Sequence, residues 1–371
     1  MPSYYRNRWS LPMDDRIKVL IVDDSAMMRK VLKEIMMTDS SLDVVGIARD
    51  GQEAIEKVRD LKPDVVTMDI NMPVMDGLTS MQYILSDYPQ IPILIVSSLS
   101  SEGALTTFEA LELGAFDYVA KPSGTVSSNL YIVGKEIILK IKLAYKGANK
   151  KSIRERAIRL KSAGIQKNVV TSKKMDPERN KGLSKVVVIG ISTGGPGTLM
   201  EVLPMLPQDL KAAVVIIQHM PPSFTASFAK RLNDACQIPI KEVEAGDVLQ
   251  NGRGYLARGG YHLVARGEEG LLRLPNTPKT LFMPSVNVTM ESILNTYGGA
   301  NVIGVLMTGM GDDGADAMVQ IRNAGGVTIA EDESTAVVFG MPKEAIARGG
   351  AEIVLPSYKV ADAIIKAVRK I

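Results

Sequence analysis

The chain has 371 residues, of which 46% are hydrophobic, and a formal net charge of +3 from 44 basic and 41 acidic side chains. This length is too great for one typical core and suits two domains, and the balanced charge indicates neither nucleic acid nor a membrane surface as a partner. A single cysteine, Cys236, excludes an internal disulfide, and no apolar run is long enough for a membrane span or a signal peptide. We therefore expect a cytoplasmic protein with no direct membrane insertion.

Residues 1–16 are polar and are expected to form a tail, and a first α/β domain is predicted over 17–145. Short apolar runs there alternate with amphipathic stretches of helical length, the pattern of a parallel sheet with helices on both faces. The predicted strands are 17–22, 42–48, 64–69, 91–98 and 116–120, and the predicted helices are 26–38, 51–60, 76–87, 102–112 and 127–145.

Residues 146–184 break this pattern and are predicted to be a basic linker. Between 146 and 181 there are 12 Lys or Arg and 3 Asp or Glu, with no sustained apolar period. The segment is interpreted as a solvated spacer, and the alternative is a docking site for an acidic partner.

A second α/β domain is predicted over 185–371, so the fold class is α/β throughout, with two doubly wound parallel sheets. Two β-rich runs flank the turn RGEEG within 254–274 and predict an antiparallel hairpin at one end of the second sheet. The predicted strands are 185–191, 212–218 and 301–307, and the predicted helices are 196–204, 223–234, 285–296 and 314–324.

Polar side chains stand where the strands of the first domain end. Asp23 and Asp24 follow the first strand, Asp69 the third, Ser97 the fourth and Lys121 the fifth. Ligands of open α/β sheets bind at these carboxyl ends, and clustered carboxylates with open water positions suit Mg²⁺. A single Asp at a strand end is more often a helix N-cap, but five suitable groups on four strand ends favour a site.

Residues 17–140 resemble a response-regulator receiver domain of the flavodoxin-like fold. The resemblance rests on VDDS (22–25), MDINMPVMDG (68–77), VSS (96–98) and AKP (120–122). It implies that Asp69 accepts a phosphoryl group from a histidine kinase. It further implies an Mg²⁺ site of Asp23, Asp24 and Asp69, a switch hydroxyl at Ser97, a phosphoryl contact at Lys121 and a rotating aromatic at Tyr118.

In the second domain, a buried strand enters the Gly-rich turn VIGISTGGPGT (188–198) with Ser192 at its tip. The segment 190–194 fits the G-x-S-x-G pattern of a nucleophile elbow. It lacks the features of a Walker A loop and of a dinucleotide fingerprint. Taken alone, the turn suits a nucleophile and a ligand-binding loop equally.

An imidazole and a carboxylate follow two other predicted strands of this domain. His219 comes directly after one strand, and Asp312 and Asp313 lie in the exit loop of another. A lone His in such a place is more often structural, and His262, in the hairpin, is expected to be so. A hydroxyl, an imidazole and a carboxylate at three strand ends are nevertheless the set that acyl transfer needs.

Residues 185–368 resemble the catalytic domain of the chemotaxis protein-glutamate methylesterase family. The resemblance is carried by GISTGGP (190–196), QHMP (218–221), PSVNV (284–288), LMTGMGDDGA (306–315) and VVFGMPKEA (337–345). It implies a nucleophile at Ser192, a base at His219, an orienting acid at Asp313, and oxyanion-hole N–H groups at Thr193 and Met310. The sequence departs from the family at Asn287, Met283 and Arg258, where Asp, Arg and Pro are usual.

The implied reaction is hydrolysis of glutamate methyl esters on methyl-accepting chemotaxis receptors, with deamidation of receptor glutamines in some members and no organic cofactor. Phosphorylation of Asp69 would relieve a block of the active-site cleft by the receiver. A DNA-binding output is the first alternative, but no basic recognition helix follows the linker, so no nucleic acid is expected. The second alternative is a non-catalytic response regulator that only docks to receptors.

Overall fold

The computed structural model describes residues 16–98, 100–121, 127–148, 183, 185–267 and 270–369. The chain separates into two units, 1–158 and 159–371, with the division inside the predicted linker. The N-terminal tail and most of the linker lie outside the described residues, and so do the predictions made for them. Among the described residues, no helix combines the length and apolar character needed to cross a bilayer.

The first unit contains one five-stranded sheet in the order β2-β1-β3-β4-β5, and every strand pair in it is parallel. This arrangement confirms the predicted doubly wound sheet. Helix α5 ends three residues inside the predicted linker. The strands are β1 (Ile17–Val22), β2 (Leu42–Ala48), β3 (Val65–Met68), β4 (Ile93–Ser97) and β5 (Asp117–Ala120), and the helices are α1 (Ala26–Met37), α2 (Gly51–Leu61), α3 (Gly77–Asp87), α4 (Ser101–Leu113) and α5 (Ser127–Ala148).

The second unit contains a seven-stranded parallel sheet in the order β14-β13-β12-β6-β7-β9-β8. Its strands are β6 (Val186–Ile191), β7 (Ala213–Gln218), β8 (Ile240–Glu242), β9 (Arg253–Leu256), β12 (Val302–Leu306), β13 (Val327–Glu331) and β14 (Ile353–Leu355). Its helices are α6 (Gly195–Val202), α7 (Pro222–Ala235), α8 (Val286–Tyr297), α9 (Ala315–Asn323), α10 (Met341–Ala347) and α11 (Ser357–Arg369). The chain leaves β6 towards β7 on one side and later returns to β12 on the other, so the topological switch point lies between β6 and β12.

The predicted antiparallel hairpin is confirmed, but it is shorter than the segment 254–274 that was predicted to contain it. Strands β10 (Val264–Arg266) and β11 (Leu271–Arg273) pair antiparallel as a separate two-stranded sheet. The first part of the predicted segment, residues 254–256, instead belongs to β9, which lies between β7 and β8 in the main sheet. Tyr255 and Leu256 are buried there, so the run was apolar because it is an internal strand.

Candidate active site and phosphoacceptor site

Three carboxylates meet at the carboxyl ends of β1 and β3, the switch point of the first sheet. Asp23, Asp24 and Asp69 each offer an oxygen within 4.8 Å of the other two. Asp23 and Asp69 are buried, whereas Asp24 is exposed. The side chains of Ser25 and Asp76 cap the helices that follow, so Asp23 and Asp69 are not the N-caps that a lone strand-end Asp would suggest.

Lys121 places an ammonium group between two of these carboxylates. Its Nζ lies 2.9 Å from Asp23 Oδ2 and 2.8 Å from Asp69 Oδ2. Burial alone would lower the pKa of Lys121, but its contacts with Asp69 and Asp23 outweigh burial and raise that pKa, so the side chain stays charged. Burial raises the pKa of the Asp69 carboxyl, helped by the nearby charge of Asp23 and opposed by Lys121.

The two other receiver residues singled out by the sequence lie in β4 and β5, the strands that follow β3 in the sheet. The Lys121 N–H donates to the Ser97 carbonyl at 2.6 Å, which joins the ends of β4 and β5. The Ser97 hydroxyl donates to the Gly103 carbonyl at 3.2 Å, and Gly103 lies in the first turn of α4. Tyr118 is buried in β5, with Lys140 Nζ 5.3 Å from the centre of its ring.

In the second unit, Ser192 lies in the turn between β6 and α6, next to the switch point. Its N–H donates to the Thr308 carbonyl at 2.9 Å, which ties the turn to the loop after β12. Gly194 adopts φ 75°, a left-handed conformation that favours glycine. A Cβ on Gly309 would lie 2.8 Å from Ser192 Cβ, so the close approach of the two loops requires glycine there.

His219 and Asp313 form a direct pair beside this turn. His219 Nε2 lies 2.9 Å from Asp313 Oδ2, and both side chains are at most 10% exposed. The other ring nitrogen, Nδ1, is buried without a hydrogen-bond partner among the described residues. If the proton is placed on Nε2 towards the carboxylate, Nδ1 is an acceptor, which is the state that a general base needs.

Asp313 is held by four donors in total. Besides His219, its oxygens accept from the Ser285 hydroxyl at 2.8 Å and from the N–H groups of Val286 at 2.7 Å and Asn287 at 3.0 Å. Burial would raise the pKa of Asp313, but the bonds from His219, Asn287 and Val286 outweigh burial and lower it. The carboxylate is therefore charged, and it sits at the N-terminus of α8, where the helix dipole favours a negative charge.

The neighbouring carboxylate, Asp312, is in a different environment. Its side chain is 61% exposed and pairs with Arg348 at 2.6 Å. Asp313 is therefore the carboxylate that contacts the imidazole, as the family resemblance implied and as the residues alone left open.

An aromatic ring that the sequence did not reveal as part of the site covers His219. Phe282 stacks on the imidazole with a centroid separation of 4.2 Å and an interplanar angle of 8°. It lies in the loop before α8, next to Leu281, whose side chain is 88% exposed. A single aromatic in a loop carries no periodic signal, and only the fold shows that it faces the histidine.

His262 is fully buried and plays the structural part that was expected of it. Its Nε2 lies 2.7 Å from the Pro278 carbonyl, and its Nδ1 accepts from the Ser285 N–H at 3.2 Å. The same Ser285 caps α8 and donates to Asp313. His262 thus helps to fix the loop that holds the Asp313 carboxylate.

The three departures from the family pattern have different surroundings. Asn287 Oδ1 accepts from the Ala317 N–H at 3.0 Å in the first turn of α9, so the amide supplies the acceptor that an Asp would supply. The Met283 carbonyl accepts from the Gly260 N–H at 2.9 Å. Arg258 is exposed, with its guanidinium 5.7 Å from the ring centre of Tyr261. None of the three side chains replaces Ser192, His219 or Asp313.

Together the two units define a response regulator with an enzymatic output, in which a receiver is followed by an α/β domain with a serine, histidine and aspartate at its switch point. Family models match in the same order, the response regulator receiver domain over 19–127 and the CheB methylesterase over 187–364. The chain belongs to the protein-glutamate methylesterase/protein-glutamine glutaminase family.

Relatives that align over nearly the whole chain support this assignment. A protein named protein-glutamate methylesterase/protein-glutamine glutaminase from Caldanaerobacter subterraneus is 50% identical and covers 96% of this chain and 98% of its own. One from Syntrophomonas wolfei is 52% identical and covers 95% of this chain and 100% of its own. Among solved structures, the Thermotoga maritima CheB methylesterase catalytic domain is 40% identical, with a TM-score of 0.48 over 49% of this chain and 98% of that one.

We expect Phe282→Ala to slow the labelling of Ser192 by a fluorophosphonate about 10- to 100-fold, because an imidazole that can tilt loses alignment with its partners. Phe282→Tyr keeps a ring and should retain nearly the wild-type rate. Leu281→Ala removes the exposed neighbouring side chain and serves as the control. An unchanged rate in Phe282→Ala would show that the stacked ring does not orient His219.

We expect Asn287→Ala to lower the free energy of unfolding by about 0.5–2 kcal/mol, because the Ala317 N–H loses its acceptor at the start of α9. Asn287→Asp should remain as stable as the wild type, since the carboxylate keeps the acceptor. Chemical denaturation of the full chain measures both. Equal destabilisation by the two variants would contradict this account.

Proposed function

We propose that this protein hydrolyses glutamate methyl esters on methyl-accepting chemotaxis receptors, and that phosphorylation of Asp69 controls the reaction. The observation that supports the hydrolase most directly is the 2.9 Å pair of His219 and Asp313, which lies with Ser192 in the loops that follow three neighbouring strands of one sheet. The matching names of relatives that span the chain support the choice of ester.

In the first half of the reaction, the Ser192 hydroxyl attacks the ester carbonyl carbon while His219 Nδ1 takes its proton. Asp313 keeps the ring oriented through Nε2 and stabilises the imidazolium that forms. The tetrahedral intermediate then collapses, the imidazolium returns the proton to the methoxy oxygen, and methanol leaves. Glutamate remains bound to Ser192 as an acyl-enzyme.

In the second half, His219 removes a proton from water, which attacks the acyl carbon. The Ser192 oxygen leaves with the proton from the imidazolium, and the glutamate side chain is released as a carboxylic acid, which loses its proton to water. The same acyl-enzyme forms from a glutamine side chain if ammonia replaces methanol as the leaving group. We include this deamidation in the proposal because the relatives' names contain both activities.

Regulation is assigned to the acidic cluster of the first unit. Asp69 would accept the phosphoryl group from a histidine kinase, and the Lys121 ammonium at 2.8 Å can neutralise part of the added charge. Asp23, Asp24 and Asp69 fit an Mg²⁺ ion, since hard carboxylate oxygens converge and the exposed Asp24 leaves room for water ligands. When bound, this ion would supply charge neutralisation during phosphoryl transfer.

The structural elements that would respond to phosphorylation are the ends of β4 and β5. The Ser97 hydroxyl can leave the Gly103 carbonyl to bond a phosphoryl oxygen, and a movement of the β4–α4 loop would then give buried Tyr118 a different packing. We further propose a cytoplasmic location, where a kinase and the receptors' signalling segments would meet this protein.

We expect Ser192→Ala to reduce methanol release from methylated receptors by about 10⁶-fold in kcat, because the serine and histidine of such a unit act together. Ser334→Ala, a change at an exposed serine of the same domain, should leave the rate unchanged. Appreciable methanol release by Ser192→Ala would refute the assignment of the nucleophile.

The non-catalytic docking alternative is tested by labelling. A fluorophosphonate should modify the wild-type protein at Ser192 and should fail to modify His219→Ala, because the hydroxyl then lacks its base. A wild-type protein that binds receptors but is never labelled at Ser192 would favour the docking function.

We expect Asp69→Asn to abolish stimulation of methanol release by a small phosphodonor while basal release stays at the wild-type level. The amide cannot accept the phosphoryl group, and Asp69 is not in the unit that contains Ser192. Asp60→Asn, an exposed aspartate of the same unit, should still be stimulated. Stimulation of Asp69→Asn equal to that of the control would exclude Asp69 as the phosphoacceptor.

A further inference from the structure

The carbonyl of Ser192 and the N–H of Thr193 belong to one peptide group. Hydrogen bonds to the carbonyl hold this group in its orientation. The Ser192 carbonyl accepts from Gln218 Nε2 at 3.0 Å and from the Gly195 N–H at 2.8 Å. Because a trans peptide is planar, its C=O and N–H point in opposite directions. Two bonds to the carbonyl therefore set the direction in which the Thr193 N–H points.

The second oxyanion-hole candidate is fixed in the same way. The Gly309 carbonyl shares a peptide group with the Met310 N–H, and it accepts from the N–H groups of Gly340 at 3.1 Å and Met341 at 2.9 Å. Those two donors are backbone groups at the start of α10. In the first peptide, by contrast, one of the two donors is a side chain, which a substitution can remove.

Gln218 is well placed to act on both catalytic loops. It is the last residue of β7, pairs with Ile191 across the sheet and is 2% exposed. The same Nε2 donates to the His219 carbonyl at 3.0 Å, so one amide group holds the turn of the nucleophile and the turn of the base. No part of the reaction described above uses this side chain.

We propose that Gln218 is a positioning residue of the oxyanion hole, which orients the Thr193 N–H towards the oxyanion of the tetrahedral intermediate by holding the Ser192 carbonyl. This inference rests on the proposed esterase function. An N–H that is already aligned needs no reorganisation when negative charge develops, and a bond to the carbonyl of the same peptide strengthens its donation. Gln218 thus acts on the transition state without contacting the substrate.

The surroundings of Gln218 leave its amide little freedom. A Cβ on Gly195 would lie 2.1 Å from Gln218 Oε1 and 2.9 Å from a side-chain carbon of Ile191. Glycine at position 195 is therefore required for the amide to lie where it does. Gly195→Ala consequently perturbs the same contact from the other side, without changing Gln218 itself.

The test is Gln218→Met, which keeps length and burial but removes the donor. We expect kcat for methanol release to fall about 10- to 100-fold, less than the loss of an oxyanion-hole donor itself, with KM within about threefold of the wild type. The affinity for an alkylboronic acid, which forms a tetrahedral anionic adduct on serine, should fall by a similar factor. Gln237→Met removes an exposed amide that donates to the Pro204 carbonyl and should change neither value.

Gln218→Leu and Gly195→Ala are the second and third variants, in case Gln218→Met does not fold. Leucine keeps an apolar side chain in the buried site but cannot donate, so the same loss of kcat and boronic acid affinity is expected. Wild-type kcat in any folded Gln218 variant would overturn the proposal, and so would a lower kcat with unchanged boronic acid affinity. Failure of the esterase function is a separate result, since the wild type and Ser192→Ala would then release methanol equally.

Discussion

The second domain depends on one interaction, the pair formed by the Asp313 carboxylate and the His219 imidazole. Asp313 is buried, and a buried charge is costly unless hydrogen bonds replace its water. Ser285, Val286 and Asn287 supply three such bonds from the N-terminus of α8, and His219 supplies the fourth. The donors at the N-terminus of α8 therefore offset the free-energy cost of burying the Asp313 charge, and the carboxylate in turn orients the His219 imidazole.

The two domains use the same property of parallel sheets for different chemistry. In each, side chains from separate parts of the sequence converge because the carboxyl ends of parallel strands share one edge, and the switch point opens a crevice there. The first domain places carboxylates beside one ammonium, a set that suits a cation and a phosphoryl group. The second places the loop of Ser192 beside that of His219, whose imidazole is paired with a buried carboxylate, a set that suits acyl transfer.

The sequence predicted the features that repeat or that follow a strand. Long apolar runs marked the central strands, and the polar residues after them marked both sites, including Asp69 and Ser192. Short strands such as β8 and β14 were missed, because three residues at a sheet edge carry no clear period. The hairpin was predicted correctly, but its first run was given too great a length, since an apolar run does not reveal which strand it will pair with.

Residues that act through other residues were also invisible to the sequence. Phe282 lies more than 60 positions from His219, and nothing in either segment indicates that the rings stack. Only the family resemblance distinguished Asp313 from Asp312 as the acid that contacts His219. The two residues are adjacent, and the difference in their burial appears only in the folded chain.

Gln218 shows most clearly where sequence reasoning ends. Its position next to His219 is plain in the sequence, but its importance depends on the direction in which one peptide group points. That direction is set by bonds to the Ser192 carbonyl from Gln218 and from the backbone of α6. A backbone N–H that takes part in catalysis is not marked by any particular side chain. The residue that orients it is found only in the structure, as the donor that hydrogen-bonds to the carbonyl of the same peptide. In this domain, the donors come from the end of β7 and the start of α6 for one peptide and from the start of α10 for the other, so the site depends on the packing of the whole carboxyl edge of the sheet.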